Sequence, residues 1–278
     1  MQLIHAAVLG VIQGLSEFLP ISSSGHLILV REFFGWELLA DAHWNTIFDL
    51  SVHAGTFIGV LAYFWSDVIR LAGAFFSTFR YGIAGVPDRR LAWILVVATL
   101  PAALAGVLGE DFIEAQLRQA PMIVAGLLIV FGFILWLAEW RGRKVRELDD
   151  TGWTDGIVIG IAQALSLAPG VSRSGITMTA GLAFGMTRET AARYSFLLSL
   201  PIIGGAALYG FHSVLGELAH LPQGALPTFA VGFLSAAISG YLCIRYFLGY
   251  LRHHALAPFI IYRIAVGAFL LIWFGLRL

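Results

Sequence analysis

The stretch Leu15–His26 reads LSEFLPISSSGH, and 150 positions later Leu165–Ile176 reads LSLAPGVSRSGI. Aligning Gly10–Gly25 with Gly160–Gly175 gives seven identities in 16 positions: Gly10/Gly160, Gln13/Gln163, Leu15/Leu165, Ser16/Ser166, Ser22/Ser172, Ser24/Ser174 and Gly25/Gly175. Chance would supply roughly one or two, so the chain carries an internal repeat. The copies diverge where side chains are reactive: Glu17 stands against Leu167, Ser23 against Arg173 and His26 against Ile176. One copy brings an acid and an imidazole, the other a guanidinium. That division predicts a single composite site.

Outward from these motifs the chain is apolar. Of its 278 residues 59% are hydrophobic and 12% charged, with a mean hydropathy of +0.83. A soluble domain carries about 25% charged residues, so the composition predicts an integral membrane protein. The formal net charge is zero, which points away from a nucleic-acid partner. The single cysteine, Cys243, excludes an intramolecular disulfide. The start, MQLIHAAVLG, has neither a basic leader nor a small-residue cleavage site and reads as mature sequence.

Six apolar runs have the roughly 17–25 residues that a crossing needs: Phe48–Trp65, Leu91–Leu108, Met122–Trp140, Tyr194–Phe211, Leu226–Ile244 and Pro258–Phe274. Two further runs, Leu3–Leu15 and Ile157–Leu167, are too short and stop at Pro20 and at Pro169-Gly170. Each is followed by a short apolar segment, Leu27–Phe34 or Ile176–Phe184. Short helix, polar break, short helix predicts a re-entrant pair whose broken backbone is buried in protein or faces a cavity.

The expected architecture is therefore an all-α polytopic membrane protein: six transmembrane helices plus two re-entrant helix pairs. Residues 1–140 form one repeat and 151–278 the other, joined by the polar linker Arg141–Gly156. With three crossings in each, the halves are of inverted topology, as in many secondary transporters. On this topology one face holds Arg70, Arg80, Arg89, Arg90, Arg141, Arg143, Lys144, Arg146, Arg188, Arg193, Arg245 and Arg252, and the other only Arg31, Arg118 and Arg277. The positive-inside rule makes the first face cytoplasmic. Both termini and the mouth of the site then lie outside.

The two serine-glycine breaks each precede a helix. Serine is a preferred N-cap, and a helix start presents unpaired N–H groups that attract anions. Ser22, Ser24, Gly25, Ser172, Ser174 and Gly175 are thus candidates for binding phosphate. The plainer reading is two capped helices whose serines only satisfy backbone. Arg173 sits at membrane depth, where a charge is expensive and needs a partner or a task. Bidentate phosphate binding suits it; an ion pair with Glu17 is the plainer alternative. Gln13 and Glu17, four apart, share a helical face. Their oxygens suit a hard cation, Mg²⁺ or Ca²⁺, with Glu17 as the metal-binding carboxylate; a polar seam between helices is the alternative. His26, next to the break, could act as acid, base or nucleophile, or be a hydrogen-bonded structural residue. Asp49 and His53, also four apart, could support the site from behind or join two helices. Arg263 could neutralise Asp49 or contact a headgroup, and reads as structural.

The strings Gln13-x-x-x-Glu17, LPISSSGH, PGVSRSG at Pro169–Gly175, FDLSVHAGT at Phe48–Thr56 and the pair Tyr262-Arg263 resemble, over the whole chain, the undecaprenyl-pyrophosphate phosphatases of the bacitracin-resistance family. The resemblance implies a bacterial inner-membrane enzyme that removes one phosphate from undecaprenyl pyrophosphate, recycles the cell-wall carrier lipid and confers bacitracin resistance. It places the family's acidic motif on Gln13 and Glu17, its serine-glycine-histidine motif on Ser22–His26 and its arginine motif on Pro169–Gly175. Many relatives have Glu where this chain has Gln13, which leaves Glu17 as the one carboxylate here. Glu17, Ser23, His26 and Arg173 become the expected catalytic residues, with Ser23 and His26 both open as nucleophile. The lipid pyrophosphate and the bilayer are the expected partners, and homo-oligomerisation stays open. A transporter or flippase of a polyprenyl phosphate lipid is the rival reading.

Overall fold

Pro20 has no N–H to continue a helix and restricts the residue before it, so the first helix, α1 (Gln2–Phe18), ends just ahead of it. The same happens at Pro169, after α7 (Trp153–Leu165). Four residues of irregular chain in the first case and seven in the second precede another short helix, α2 (Ser23–Phe34) or α8 (Arg173–Ala183). The computed structural model describes residues 2–36, 42–112, 120–215 and 221–276. Arg118 and Arg277, counted above for orientation, lie outside them.

Six helices are long and apolar enough to cross a bilayer: α3 (Ala42–Tyr63), α5 (Pro87–Phe112), α6 (Pro121–Arg141), α9 (Arg188–Leu215), α10 (Ala225–Leu251) and α11 (Ala257–Gly275). They contain the six expected runs almost end to end. Among the described residues no strand forms; the one isolated bridge ties Arg146 to Met186. The chain is an all-α, multi-pass membrane protein. One helix was not anticipated: α4 (Trp65–Tyr81). Asp67, Arg70 and Arg80 interrupt its hydropathy, yet they are well partnered or flanked by aromatics. Asp67 accepts from Arg70 and twice from Arg193 of α9, and Phe75 packs on Trp93 of α5 with ring centroids 4.7 Å apart.

The chain divides into two compact units. The first combines α1, α2 and α3 with residues 199–246. The buried side chains of α1 include Ala6, Leu9, Gly10, Gln13, Gly14 and Glu17, spaced by three and four so that they form one face. The glycines on it admit another backbone. A Cβ at Gly14 would lie 2.0 Å from Ser239 Oγ and 2.6 Å from the Ala236 carbonyl of α10. Gly55 does the same for α3, at 2.3 Å from the Phe233 carbonyl. Gly10-x-x-x-Gly14 and Gly55-x-x-x-Gly59 are thus small-residue faces of the kind that lets membrane helices touch. Leu9, Leu27, Phe48, Val52 and Ala236 fill the space around them. This packing holds Gln13 and Glu17 in place.

The second unit combines residues 19–22, α4, α5, α6, α7, α8, residues 188–198 and the chain from Phe247 onward. In it α6 packs on α11, α5 on α7, and α8 on both α6 and α7. The linker after α6 is ordered: Arg146 donates to Asp155, to the Phe184 carbonyl and to the Asp150 carbonyl, and its bond to Asp155 raises its pKa further above the ordinary guanidinium value.

At the centre of this unit lies Arg263, 0% exposed. Its guanidinium donates to the carbonyls of Leu128 (3.1 Å), Pro20 (3.2 Å), Gly170 (2.9 Å) and Val171 (3.0 Å). The structural reading of this residue is borne out; Asp49, the carboxylate considered for it, pairs instead with Arg31. Each buried carbonyl left without a donor costs about 1–3 kcal/mol. Arg263→Leu, which orphans the three loop carbonyls of Pro20, Gly170 and Val171, should therefore prevent accumulation of folded protein. Arg263→Lys, with three donors and no planar fork, should fold with a lowered melting temperature in detergent. A leucine variant as heat-stable as the parent would show that these bonds do not hold the unit together.

Candidate active site

Glu17 closes the buried face of α1 and is 7% exposed. One turn earlier Gln13 donates its Nε2 to Glu17 Oε2 at 3.1 Å. Across the proline break, Ser23, the first residue of α2, donates its hydroxyl to the same oxygen at 2.7 Å. From α3, His53 brings Nε2 to 3.9 Å of it. The other ring nitrogen, Nδ1, lies 2.8 Å from the Asp49 carbonyl. A carbonyl only accepts, so Nδ1 carries the hydrogen and Nε2 is the nitrogen turned to the carboxylate. Asp49 is itself held by two bonds from Arg31, at 2.9 and 2.6 Å, and Arg31 lies over the Phe48 ring. His26 follows Ser23 by three positions on α2, which places both on one helical face a turn apart. His26 and Ser24 are half-buried and Gly25 is buried.

In the second unit the two breaks in the chain are built alike. Ser22 and Ser172, equivalent in the repeat, both adopt left-handed backbone, with φ of 76° and 72°. Few residues other than glycine do so, and each conformation is fixed by specific bonds. The Ser22 hydroxyl accepts from the Gly170 N–H at 3.1 Å. Ser174 donates its hydroxyl to the Leu19 carbonyl at 2.9 Å, and Arg263 takes the neighbouring carbonyls. Ser172 caps α8 by accepting from the Gly175 N–H at 3.2 Å. Gly175 has to be glycine for space: a Cβ there would lie 2.9 Å from Arg263 Nη1 and 3.1 Å from Ser172 Oγ. Arg173 opens α8 and donates to the Ser195 carbonyl of α9 at 3.1 Å, while Thr177 bonds the Ser195 hydroxyl at 2.7 Å.

Of the residues singled out in the sequence, Gln13, Glu17 and Ser23 thus meet in one hydrogen-bonded group. Ser22, Ser172, Ser174 and Gly175 meet in another, with their side chains or their space committed to loop backbone. The sequence left Asp49 and His53 open between supporting the site and joining two helices, and gave Arg31 no role beyond its charge. Nothing in the sequence ties Arg31 to Asp49, 18 positions on. Ser195 and Thr177 were missed altogether, being ordinary hydroxyl residues in apolar helices.

The chemistry open to the first group is proton transfer: a carboxylate hydrogen-bonded to a serine hydroxyl can take its proton as the oxygen attacks an electrophile. The second offers the N-terminus of α8 with a guanidinium on its first residue, an arrangement that attracts anions. The donor set also fits a hard divalent cation. Glu17 supplies a carboxylate, and Gln13 Oε1 is buried with no hydrogen-bond partner, a carbonyl oxygen in search of a positive group. Among the described residues no three His, Cys, Asp or Glu gather at one point, so an ion there would retain several waters, as Mg²⁺ commonly does.

The family model described as bacitracin resistance protein BacA matches residues 6–269. A protein of Moorella thermoacetica named undecaprenyl-diphosphatase is 47% identical over 278 residues, covering 100% of both chains. One of the same name from Rubrobacter xylanophilus is 45% identical over 269 residues, 96% of this chain and 97% of its own. Another, from Geotalea daltonii, is 41% identical over 273 residues, 98% of each. A match running from the start of α1 to the far end of α11 takes in both serine motifs and every helix that carries them, and on that ground the chain belongs to the BacA family of bacitracin resistance proteins.

Proposed function

We propose that this protein hydrolyses undecaprenyl pyrophosphate to undecaprenyl phosphate and inorganic phosphate in the bacterial inner membrane, so recycling the carrier lipid of cell-wall assembly and conferring bacitracin resistance. What supports the substrate is the name that its full-length relatives bear. What supports a hydrolase over a carrier is one contact, the 2.7 Å bond from the Ser23 hydroxyl to the Glu17 carboxylate. A binding protein needs donors for the pyrophosphate; it has no need of a hydroxyl primed by a base.

In this reading the Ser23 oxygen attacks the terminal phosphorus as its proton passes to Glu17. The bond from that phosphorus to the bridging oxygen breaks, and the lipid monophosphate departs. Water then attacks the phosphoserine, its proton taken by Glu17 or by His26 on the adjacent turn, and inorganic phosphate leaves with Ser23 restored. The arginine motif read in the sequence assigns Arg173 to the charge on the transferred group, a task that suits a guanidinium. Ser22, Ser24, Gly25, Ser172, Ser174 and Gly175 are the residues we assign to binding phosphate, with Ser22, Ser172, Ser174 and Gly175 also holding the breaks through backbone contacts. A divalent cation held by Glu17 and the Gln13 carbonyl oxygen would neutralise pyrophosphate charge when bound.

We read residues 1–140 and 151–278 as inverted repeats, on the strength of the duplicated motif and three crossings in each half. By the excess of basic residues on one face, both termini and the mouth of the site lie on the periplasmic side. Reporter fusions at Met1 and Leu278 should both read periplasmic, and one in the Arg141–Asp150 linker cytoplasmic. A cytoplasmic signal from either terminus reverses the orientation.

Purified protein in detergent, with no membrane to separate two compartments, should release inorganic phosphate from an isoprenyl pyrophosphate. Absence of release at any divalent-ion concentration would contradict the phosphatase reading. In the same assay Ser23→Ala should be inactive. Arg173→Lys should fold normally yet lose roughly 100- to 1000-fold in turnover, the cost of one preorganised transition-state contact of about 2.7–4 kcal/mol. An active Arg173→Lys protein would assign Arg173 a scaffolding role instead.

A further inference from the structure

Beside Glu17 stands a nitrogen that the reaction above leaves unused. Because His53 Nδ1–H is committed to the Asp49 carbonyl, Nε2 is the nitrogen whose lone pair is open to a ligand. It faces another acceptor, Glu17 Oε2, at 3.9 Å. Gln13 Oε1 is a third acceptor, buried and without a partner, on an amide whose Nε2 lies 3.1 Å from that same carboxylate oxygen. Two acceptors that face each other, with a third, partnerless one on the neighbouring amide, favour a positive charge beside them. The posture of His53 is also the one that metal-binding histidines take: a far N–H bonded to a main-chain carbonyl fixes the tautomer and aims the lone pair. That carbonyl belongs to a residue which is itself clamped by Arg31. Two metal–ligand bonds of about 2.0–2.2 Å meeting at a wide angle span about 4 Å, which matches the gap from His53 to Glu17.

We propose that His53, Glu17 and Gln13 form one mixed nitrogen–oxygen site for a first-row divalent cation such as Mn²⁺, with His53 Nε2 as the nitrogen ligand. The proposal rests on the phosphatase reading, in which a cation sits at Glu17, and adds a ligand and a preference to it. With Gln13 in place of a second carboxylate, the oxygen donors alone are few for Ca²⁺, which takes six to eight oxygens. An imidazole moves the set toward the transition metals. His53 thus compensates for the carboxylate that position 13 lacks.

The test is electron spin-echo modulation of Mn²⁺ bound to the full-length protein in detergent, which reads a directly bound ¹⁴N without reference to turnover. The parent protein should bind Mn²⁺ in preference to Ca²⁺ and show imidazole nitrogen coupling. His53→Gln should bind Mn²⁺ more weakly through its oxygens and lose the coupling, whereas His26→Gln should keep it. No Mn²⁺ binding, Mn²⁺ bound without nitrogen coupling, coupling that survives in His53→Gln, or coupling lost in His26→Gln would each overturn the proposal. Phosphate release measured on the same samples separates the two readings. Release without nitrogen coupling removes His53 and leaves the phosphatase standing; no release with any divalent ion removes the phosphatase.

Discussion

Inside the second unit a guanidinium bonds only to main-chain carbonyls, and the shape of both serine motifs follows from it. A chain broken in apolar surroundings exposes carbonyls that no helix and no water will satisfy. Arg263 supplies donors to three of them, at Pro20, Gly170 and Val171, and anchors itself on the Leu128 carbonyl within α6. A lysine has three donors in a compact head and could not reach as many directions. With those carbonyls held, Ser22 and Ser172 can keep their left-handed backbone. Gly175 belongs to the same constraint, since any side chain there would collide with the guanidinium.

The first unit solves a different problem, that of a buried carboxylate. Glu17 is partnered by the Gln13 amide and the Ser23 hydroxyl, with the His53 ring behind. Each comes from a different place: α1 supplies Gln13 and Glu17, α2 supplies Ser23, α3 supplies His53. Their separation is set by glycine faces on α1 and α3 that bring both helices onto the backbone of α10. Close packing of small residues along α1 and α3 is what gives the reactive groups fixed positions.

Much of this was legible in the sequence, for physical reasons that differ by residue. The crossings are legible because hydrocarbon allows few polar side chains over some twenty residues; Met122–Trp140 as read and Pro121–Arg141 as observed differ by one residue at each end. The contact of Gln13 with Glu17 followed from a spacing of four. α4 escaped notice because its charged residues look like loop, and only partners distant in sequence, such as Arg193 for Asp67, make them tolerable in a helix. Arg31–Asp49 is another such pair, and without it Asp49 was weighed as a counter-ion for Arg263. The repeat made Ser22 and Ser172 equivalent on paper. That their hydroxyls serve different partners, Gly170 N–H for one and Gly175 N–H for the other, depends on packing that no local pattern encodes.

The account turns on Ser23 as the group that attacks phosphorus, because that is the hydroxyl the buried carboxylate holds. Its most direct test is to mix the purified protein with an isoprenyl pyrophosphate labelled in the terminal phosphate, quench within a turnover, and map the protein-bound label by mass spectrometry. The account predicts a phosphoryl group on Ser23, formed in a burst that does not exceed one per chain. Label on His26, or phosphate released at full rate with no label on the protein at any time, would contradict it.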